Sequence, residues 1–428
     1  MKLLIVVLLS LSISGIAQKI PQGNPKRMED RILALGRFGA NPEGGVSRVA
    51  YSEADIAGRA YVMGLMKNAG LEVHLDAAGN IIGRRAGKDN KLAPIAFGSH
   101  IDSVPGGGNY DGDVGSLGAI ECIELLNEGK ITTQHPLEVI IFQNEEGGLI
   151  GSEALCGILP ATSLDLVSNS GKTIRQGIAE LGGNVEKLSE AARKKGYYHA
   201  FLELHIEQGG ILDKKGINIG VVEGIVGINQ WSVTITGKGN HAGTTPMDQR
   251  QDAMVAAAKL TLAINRAATS VPGRQVATVG RIQAFPGAPN VIPGKVIMTL
   301  EIRDLSHEKI LSVFAEIQSQ GIIIEKETGT TIAYTLTNEN LPAPTDPRIQ
   351  SLVAAAAKEL GLTTQLMPSG AGHDAQDMAT IAPTGMIFVP SKNGVSHAPD
   401  EYTSPQDMAN GASVLLQTIL KLDKQTLN

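Results

Sequence analysis

Apolar residues along this chain fall into two patterns. In some stretches they recur at helical spacing. Met28, Ile32, Leu33 and Leu35 predict a helix over 26–38. A second begins at Ser52-Glu53-Ala54-Asp55, where Ser52 can cap the first amides, and ends near Gly70. Val114 to Leu126, 346–360 and 404–422 have the same texture. Elsewhere the apolar residues run together, as in Pro94 to Gly98, Leu137 to Phe142, Phe201 to Leu204 and Gly385 to Val389. Short continuous runs of this kind predict strands buried on both faces, in a sheet covered by helices. Leu71 to Gly83 predicts a hairpin turning at Ala78-Gly79-Asn80.

Between 221 and 337 the pattern changes. Ile228 to Ile235 alternates as a half-buried strand does. Thr245-Pro246 is the expected start of a helix to about Ala268, with proline at its first position. Strands over 275–283 and 295–303 follow, then a helix capped by Ser306 running through Gln318, then a strand over 331–336. The order βαββαβ is that of a ferredoxin-like unit. The expected fold is α/β: a mixed sheet covered by helices forms a catalytic domain from 18–220 and 338–428. A ferredoxin-like α+β lid or dimerisation domain, 221–337, is inserted into it.

A length of 428 residues fits two or three domains, and 42% hydrophobic content with 50 glycines fits a loop-rich globular protein. The net charge of −6, without a long basic run, argues against nucleic acid or an anionic membrane surface as partner. Lys2, the apolar run Leu3 to Ile13 and the small residue Ala17 form the pattern of a signal peptide over 1–17. That run is too short to favour a membrane span. Export to a periplasm or outside the cell is expected, with no span in the mature chain. Cys122 and Cys156 are expected to be buried free thiols.

Candidate chemistry gathers after the buried runs. His100, Asp102 and Asp111 lie in the glycine-rich stretch GSHIDSVPGGGNYDGDVG. Glu145 and Glu146 follow the run ending at Phe142, His205 follows Leu204, and His397 lies in the loop beyond Val389. In open α/β sheets, ligand sites form beyond the carboxyl ends of the strands. Imidazoles mixed with carboxylates suit zinc or manganese better than calcium or magnesium. His100, Asp111, Glu146, His205 and His397 exceed the needs of one tetrahedral ion. They fit two divalent ions, Zn2+ or Mn2+, bridged by the short carboxylate of Asp111. Asp102 could accept the other ring N–H of His100 and orient it. Glu145, unligated beside Glu146, is the expected general base, or alternatively an acceptor that orients a neighbour. Two dications against two carboxylates and a hydroxide leave the site net positive, which favours an anionic substrate.

The motifs GSHIDSVPGGGNYDGDVG, QNEEGG, GSEALCG, ELHIEQGGIL, GNHAGTTPMDQRQDA, PNVIPG, LEIRDL, SGAGHDAQDMA and SHAPDEYT span residues 98 to 403. Together they resemble the dimetal aminoacylase and carboxypeptidase-type hydrolases. Within these they are most similar to the branch of N-carbamoyl-L-amino acid hydrolases and allantoate amidohydrolases. The resemblance implies ligand roles for His100, Asp111, Glu146, His205 and His397, with Asp111 bridging, and Glu145 as base. It implies substrate roles for Gln208, His241, Asn290, Arg303 and Gly372. It also implies a homodimer built by the insert, with His241 reaching the partner's site.

Residue chemistry agrees with these roles. Arg303 offers a planar fork for a carboxylate, and His241 and Asn290 could donate to the oxyanion formed in hydrolysis. Arg303 could instead pair with Asp304 or Glu301, and His241 could cap its own loop. His373 and Asp374 could hold the loop that presents Gly372. His74, His135, His199 and His307 lie outside every motif. The expected activity is metal-dependent cleavage of a C–N bond in a small anionic ureido or carbamoyl substrate, with ammonia release. N-carbamoyl-L-amino acids, allantoate and ureidoglycolate are all candidates. The competing readings are an aminoacylase or small-peptide hydrolase on the same site, and a non-catalytic exported binding protein.

Overall fold

The four runs expected as buried strands lie side by side and parallel in one nine-stranded sheet. The computed structural model describes residues 20–427, so the expected signal peptide, 1–17, lies outside them. In spatial order the four are Leu137–Phe142, Ile95–His100, Ala200–Ile206 and Thr384–Val389, each buried along its whole length. Their side chains alternate between two apolar layers. Ile95, Phe97, Leu137, Val139 and Ile141 join a core that includes residues of helices Pro25–Leu35, Asp113–Glu128 and Pro405–Leu422. Ala96, Ile140, Phe142, Phe201 and Phe388 join a second core with Leu155 and Met378. A strand serving two apolar layers shows no polar alternation, which explains the continuous runs. Because the four are parallel, their carboxyl ends open on one edge.

Antiparallel strands complete the sheet. The hairpin Glu72–Leu75 and Ile81–Arg85 pairs with register Leu75 to Ile81 and continues onto Leu137–Phe142. On the other side Ile219–Ile225 runs antiparallel to Thr384–Val389. The expected cap at Ser52 forms, accepting from the Asp55 amide, and two later helices are capped at their expected starts, Asp346 accepting from Arg348 and Ser404 from Asp407. Cys122 and Cys156 are both buried and free. Among the described residues, no helix is long and apolar enough to cross a membrane.

A second, antiparallel sheet has the order Ile282–Phe285, Lys295–Asp304, Gly227–Thr236, Thr331–Asn340, with Val276–Thr278 also on Lys295–Asp304. Trp231, Val233 and Ile235 alternate inward to meet Leu260 and Ile264 of helix Ala253–Thr269 and Ile310, Val313 and Ile317 of helix His307–Thr328. The expected limits of the insert, 221 and 337, both fall inside strands. Ile219–Ile225 belongs to the large sheet, and Thr331–Asn340 to the small one.

Three elements differ from expectation. Pro246 is extended, with ψ 151°, and precedes only a short 3-10 turn; the long helix starts at Ala253, where the Asp252 side chain accepts from the Met254 and Val255 amides. A capping aspartate outweighed a favourable proline. The helix after Ser306 runs on to Thr328 and ends on the left-handed Gly329, because Gly321 stays inside it, against Tyr334. The expected strand over 275–283 is two strands. Thr278 pairs with Glu301 but Ile282 with Met298, so one extra residue is looped out between them.

Candidate metal centre

His100 is the last residue of its strand, and His205 the last but one of Ala200–Ile206. Glu145 and Glu146 follow the strand that ends at Phe142, and His397 follows the strand that ends at Val389. Asp111 closes the glycine-rich loop just before helix Asp113–Glu128. Parallel pairing brings all of these to one edge. Gly112 makes the close approach possible. It has φ +66°, and a Cβ there would lie 2.5 Å from the His100 ring.

Asp111 is the centre of the arrangement. Its Oδ1 faces Nε2 of His205 at 3.1 Å and Nε2 of His100 at 3.7 Å. Its Oδ2 faces Nε2 of His397 at 3.0 Å, and that nitrogen lies 3.7 Å from Oε1 of Glu146. Two ligand groups result, His100-Asp111-His205 and Asp111-Glu146-His397, each with donor atoms within 4.8 Å of one another. They share only Asp111.

The donor set fits cations. Nδ1 of His100 lies 3.0 Å from the Asp102 carbonyl, and Nδ1 of His205 lies 3.0 Å from the Ile206 carbonyl. Each Nδ1 therefore carries the proton in the neutral tautomer, which turns the Nε2 lone pair toward Asp111. The Gly112 N–H reaches Nε2 of His205 at 3.3 Å, as expected for an acceptor there. Lone pairs aimed at a carboxylate repel unless a proton or a metal cation stands between them. Oε1 of Glu146 is buried without a hydrogen-bond partner, a further group that a cation would satisfy.

Before any ion binds, the electrostatics of the site carry the same frustration. Burial pushes His100 down to about 4. Burial also acts to lower His205, but the Asp111 carboxylate outweighs it and raises the group to about 9. Asp111 likewise lifts His397 to about 9. Burial and the charges of Asp111 and Asp102 raise Glu146 to about 8. Burial, then the charges of Asp374, Glu146 and Asp111, hold Glu145 well above the ordinary carboxylate range. Divalent charge would reverse this logic and let the carboxylates ionise.

Beside these groups lies a cleft of about 340 Å³, lined by Asp111, Glu145, Glu146, Gln208, Arg303, Gly372 and His397 among others. Ile228 also lines it, so both domains contribute. The family model of Peptidase family M20/M25/M40 matches residues 96–421. The chain is 39% identical to an N-carbamoyl-L-amino acid amidohydrolase of Geobacillus stearothermophilus, over 93% of this chain and 98% of that protein. It belongs to the M20 family. A ureidoglycolate hydrolase of Oryza sativa subsp. japonica is 40% identical over 93% of this chain and 84% of its own length. The crystal structure of a hydantoinase/carbamoylase family amidase from Burkholderia multivorans superposes with TM-score 0.88 at 35% identity, covering 95% of this chain and 99% of that one. Within the M20 family the chain lies in the hydantoinase/carbamoylase branch, and it is a metal-dependent amidohydrolase of the carbamoylase/allantoate amidohydrolase type.

In this M20 chain the supporting contacts depart from the sequence expectation at several points. Asp102 does not orient His100 through its carboxylate, which stands 3.7 Å from Nδ1; its backbone carbonyl does so at 3.0 Å. The carboxylate instead accepts the amides of Glu145 at 3.1 Å and Glu146 at 3.2 Å. Asp102 thus ties the loop after Ile95–His100 to the loop after Leu137–Phe142. Arg303 does pair with Glu301, through Nε at 2.7 Å, while Nη1 donates to the Gly370 carbonyl at 2.7 Å. This pairing aims the guanidinium rather than removing it, since Arg303 still lines the cleft. Gln208 turns inward, and its Nε2 donates to Asp111 Oδ2 at 2.6 Å. His373 is buried against His205, with ring centroids 4.4 Å apart, and its Nε2 meets Ser369 Oγ at 2.8 Å, next to Gly372. His241 and Asn290 do not line the cleft of their own chain. Both are exposed, His241 on the two-stranded ribbon of Asn240–His241 with Val291–Ile292 and Asn290 in the turn just before it, where the Ala242 amide donates to the Asn290 carbonyl.

Sequence reasoning missed Asn144, and it missed the backbone conformation of two residues it named. Asn144, Gln208 and His397 have φ of +52°, +54° and +54°, a region that non-glycine residues rarely adopt, and all three adjoin or form the site. Buried Arg48 donates to the Ile101 carbonyl at 2.6 Å and pairs with Asp113, which pins both ends of the loop carrying Asp102 and Asp111. Glu203 accepts from Ser99 Oγ and the Ala375 amide behind His205. Glu401, four residues after His397 in SHAPDEYT, had a visible signal: an acid held close to a ligand by a short turn.

Proposed function

We propose that the chain hydrolyses a C–N bond in the ureido or carbamoyl group of a small carboxylate, with release of ammonia. The observation that carries this reading is the shared cleft, in which Asp111, Glu145, Glu146 and His397 stand with Arg303 around about 340 Å³. That volume suits a small molecule. A fixed guanidinium opposite a candidate metal pair suits a substrate with a carboxylate at one end and a hydrolysable carbonyl at the other. The named relatives favour carbamoyl amino acids and ureidoglycolate as the first classes to try.

In this reading His100, Asp111 and His205 hold one ion, and Asp111, Glu146 and His397 the other. The donor set favours zinc or manganese. Bound there, the ions would polarise the substrate carbonyl and acidify water. Glu145 removes the proton of the attacking water and delivers it to the leaving nitrogen. Arg303 fixes the substrate carboxylate, and Gln208 holds Asp111 through its amide. For an N-carbamoyl amino acid, water and substrate give the amino acid, carbon dioxide and ammonia.

Two further parts of the reading concern assembly and place. His241 and Asn290 would complete the oxyanion site of a second copy in a homodimer built by the insert. Exposed Val255, Leu262, Leu311, Ile322 and Ile323 on its two helices support such an interface. The pattern of the first seventeen residues supports export. Product analysis tests the reaction: ammonia from carbamoyl or ureido compounds supports it, and a free acid from N-acetyl amino acids alone would replace it with aminoacylase activity.

A further inference from the structure

Glu401 lies in the loop beyond the last parallel strand, 4% exposed, and belongs to neither of the two ligand groups around Asp111. Its carboxylate is fully engaged. Oε1 accepts the backbone amides of Tyr110 at 2.9 Å and Asp111 at 3.0 Å. Oε2 accepts the Ser396 hydroxyl at 2.8 Å and the His397 amide at 3.2 Å. Four donors fill the lone-pair directions of a carboxylate, so none is left to bind an ion. One oxygen holds the loop of Asp111, and the other holds the loop of His397. These loops lie some 290 residues apart in sequence.

The two ligand groups depend on this link unequally. His100 and His205 sit on strand ends, and each is fixed by its own Nδ1 contact to a carbonyl. His397 sits on a loop at φ +54°, a costly conformation that must be held from outside. Its amide is held by Glu401. Gly108 has no side chain where a Cβ would overlap the Glu401 carboxylate.

We propose that Glu401 is a positioning residue that sets the distance between Asp111 and His397, and so selectively builds the Asp111-Glu146-His397 ion site. The inference rests on the two-ion reading above. Glutamine cannot replace it. One end of an amide is a donor, and it would face either the Tyr110 and Asp111 amides or the Ser396 hydroxyl and His397 amide.

The test is metal titration of the chelator-stripped chain with Zn2+ by calorimetry, with the visible spectrum of Co2+ as a second readout. Native protein should bind two ions. Glu401→Gln should keep one at native affinity and weaken the other by about 10- to 100-fold. Gly108→Ala, which displaces the Glu401 side chain, should reproduce this. Ser396→Ala, which removes one of four donors, should weaken the same ion less and decides the matter if the other two variants fail to fold. In the Co2+ spectra the bands of one site should change and those of the other persist. Two ions at native affinity in the folded Glu401→Gln variant would overturn the proposal, as would equal weakening of both. Fewer than two ions in the native protein would remove the two-ion reading itself, and this proposal with it.

Discussion

Nε2 of His397 stands 3.0 Å from Oδ2 of Asp111, although the whole inserted domain separates the two residues in sequence. The parallel sheet accounts for the meeting. The strand Thr384–Val389, formed after the insert, pairs with Ala200–Ile206, formed before it. The catalytic domain therefore closes only when the chain returns, and the candidate ion site beside His397 closes with it.

Glu145 separates metal binding from turnover. Glu145→Gln keeps the shape of the side chain and removes its proton acceptor. Ammonia release should fall by about 10²- to 10⁴-fold, while metal content stays native. Undiminished turnover with native metal content would remove Glu145 as the base.

Arg303 is held in place by Glu301 and the Gly370 carbonyl. Arg303→Ala should raise KM for carboxylate substrates by roughly tenfold or more, as expected for a charge-assisted hydrogen bond of about 1.5–3 kcal/mol. Arg303→Lys should recover little, since lysine lacks the planar fork. Similar KM values for the native and Arg303→Ala proteins would contradict the role.

Ion uptake should depend on pH with a definite sign. Before ions bind, His205 and His397 are raised to about 9 and Glu146 to about 8. These groups hold protons at neutral pH and must lose them to become ligands. Affinity for zinc should therefore rise from pH 7 to pH 9, with protons released into a weak buffer. Affinity independent of pH over that window would contradict the assignment of these three groups as ligands.

Asp102 accepts two half-buried amides, so its loss leaves both unpaired. Asp102→Ala should destabilise the folded protein by about 1–3 kcal/mol for each amide, read from the denaturation midpoint, and should weaken ion binding through Glu146. If stability and affinity are both native, the carboxylate does not hold the loop of Glu145 and Glu146.

The place of His241 is tested by mixing. Glu145→Gln and His241→Ala proteins should each be nearly inactive. If His241 serves the partner's site, mixed dimers contain one intact site, and equal mixing should restore about a quarter of native activity. A mixture as inactive as its components would place His241 outside the partner's chemistry.

Much of this was legible in the sequence because it is local. Continuous apolar runs predicted the four parallel strands, and the residues after them predicted His100, Glu145, Glu146, His205 and His397 at one edge. Ser52 and Ser306 announced their helices because a cap needs only the amides that follow it. The misread contacts are set by direction or by distance. An H-x-D spacing does not say whether the carboxylate or the carbonyl of Asp102 meets the ring. Pro246 could begin a helix, but Asp252 competed for the same start and won. Arg48 holds Ile101 and Asp113, and Glu401, whose place beside His397 was visible, also holds the amides of Tyr110 and Asp111; only the folded sheet brings those loops near, so no local pattern marks these contacts.

The most direct measurement is ammonia release by the zinc- or manganese-loaded protein. The substrates are N-carbamoyl-L-amino acids, allantoate, ureidoglycolate and N-acetyl amino acids, with Glu145→Gln as the blank. The account predicts ammonia from at least one carbamoyl or ureido compound and none above background from the blank. No ammonia from any of them while the metal-loaded protein cleaves the N-acetyl compounds would contradict it.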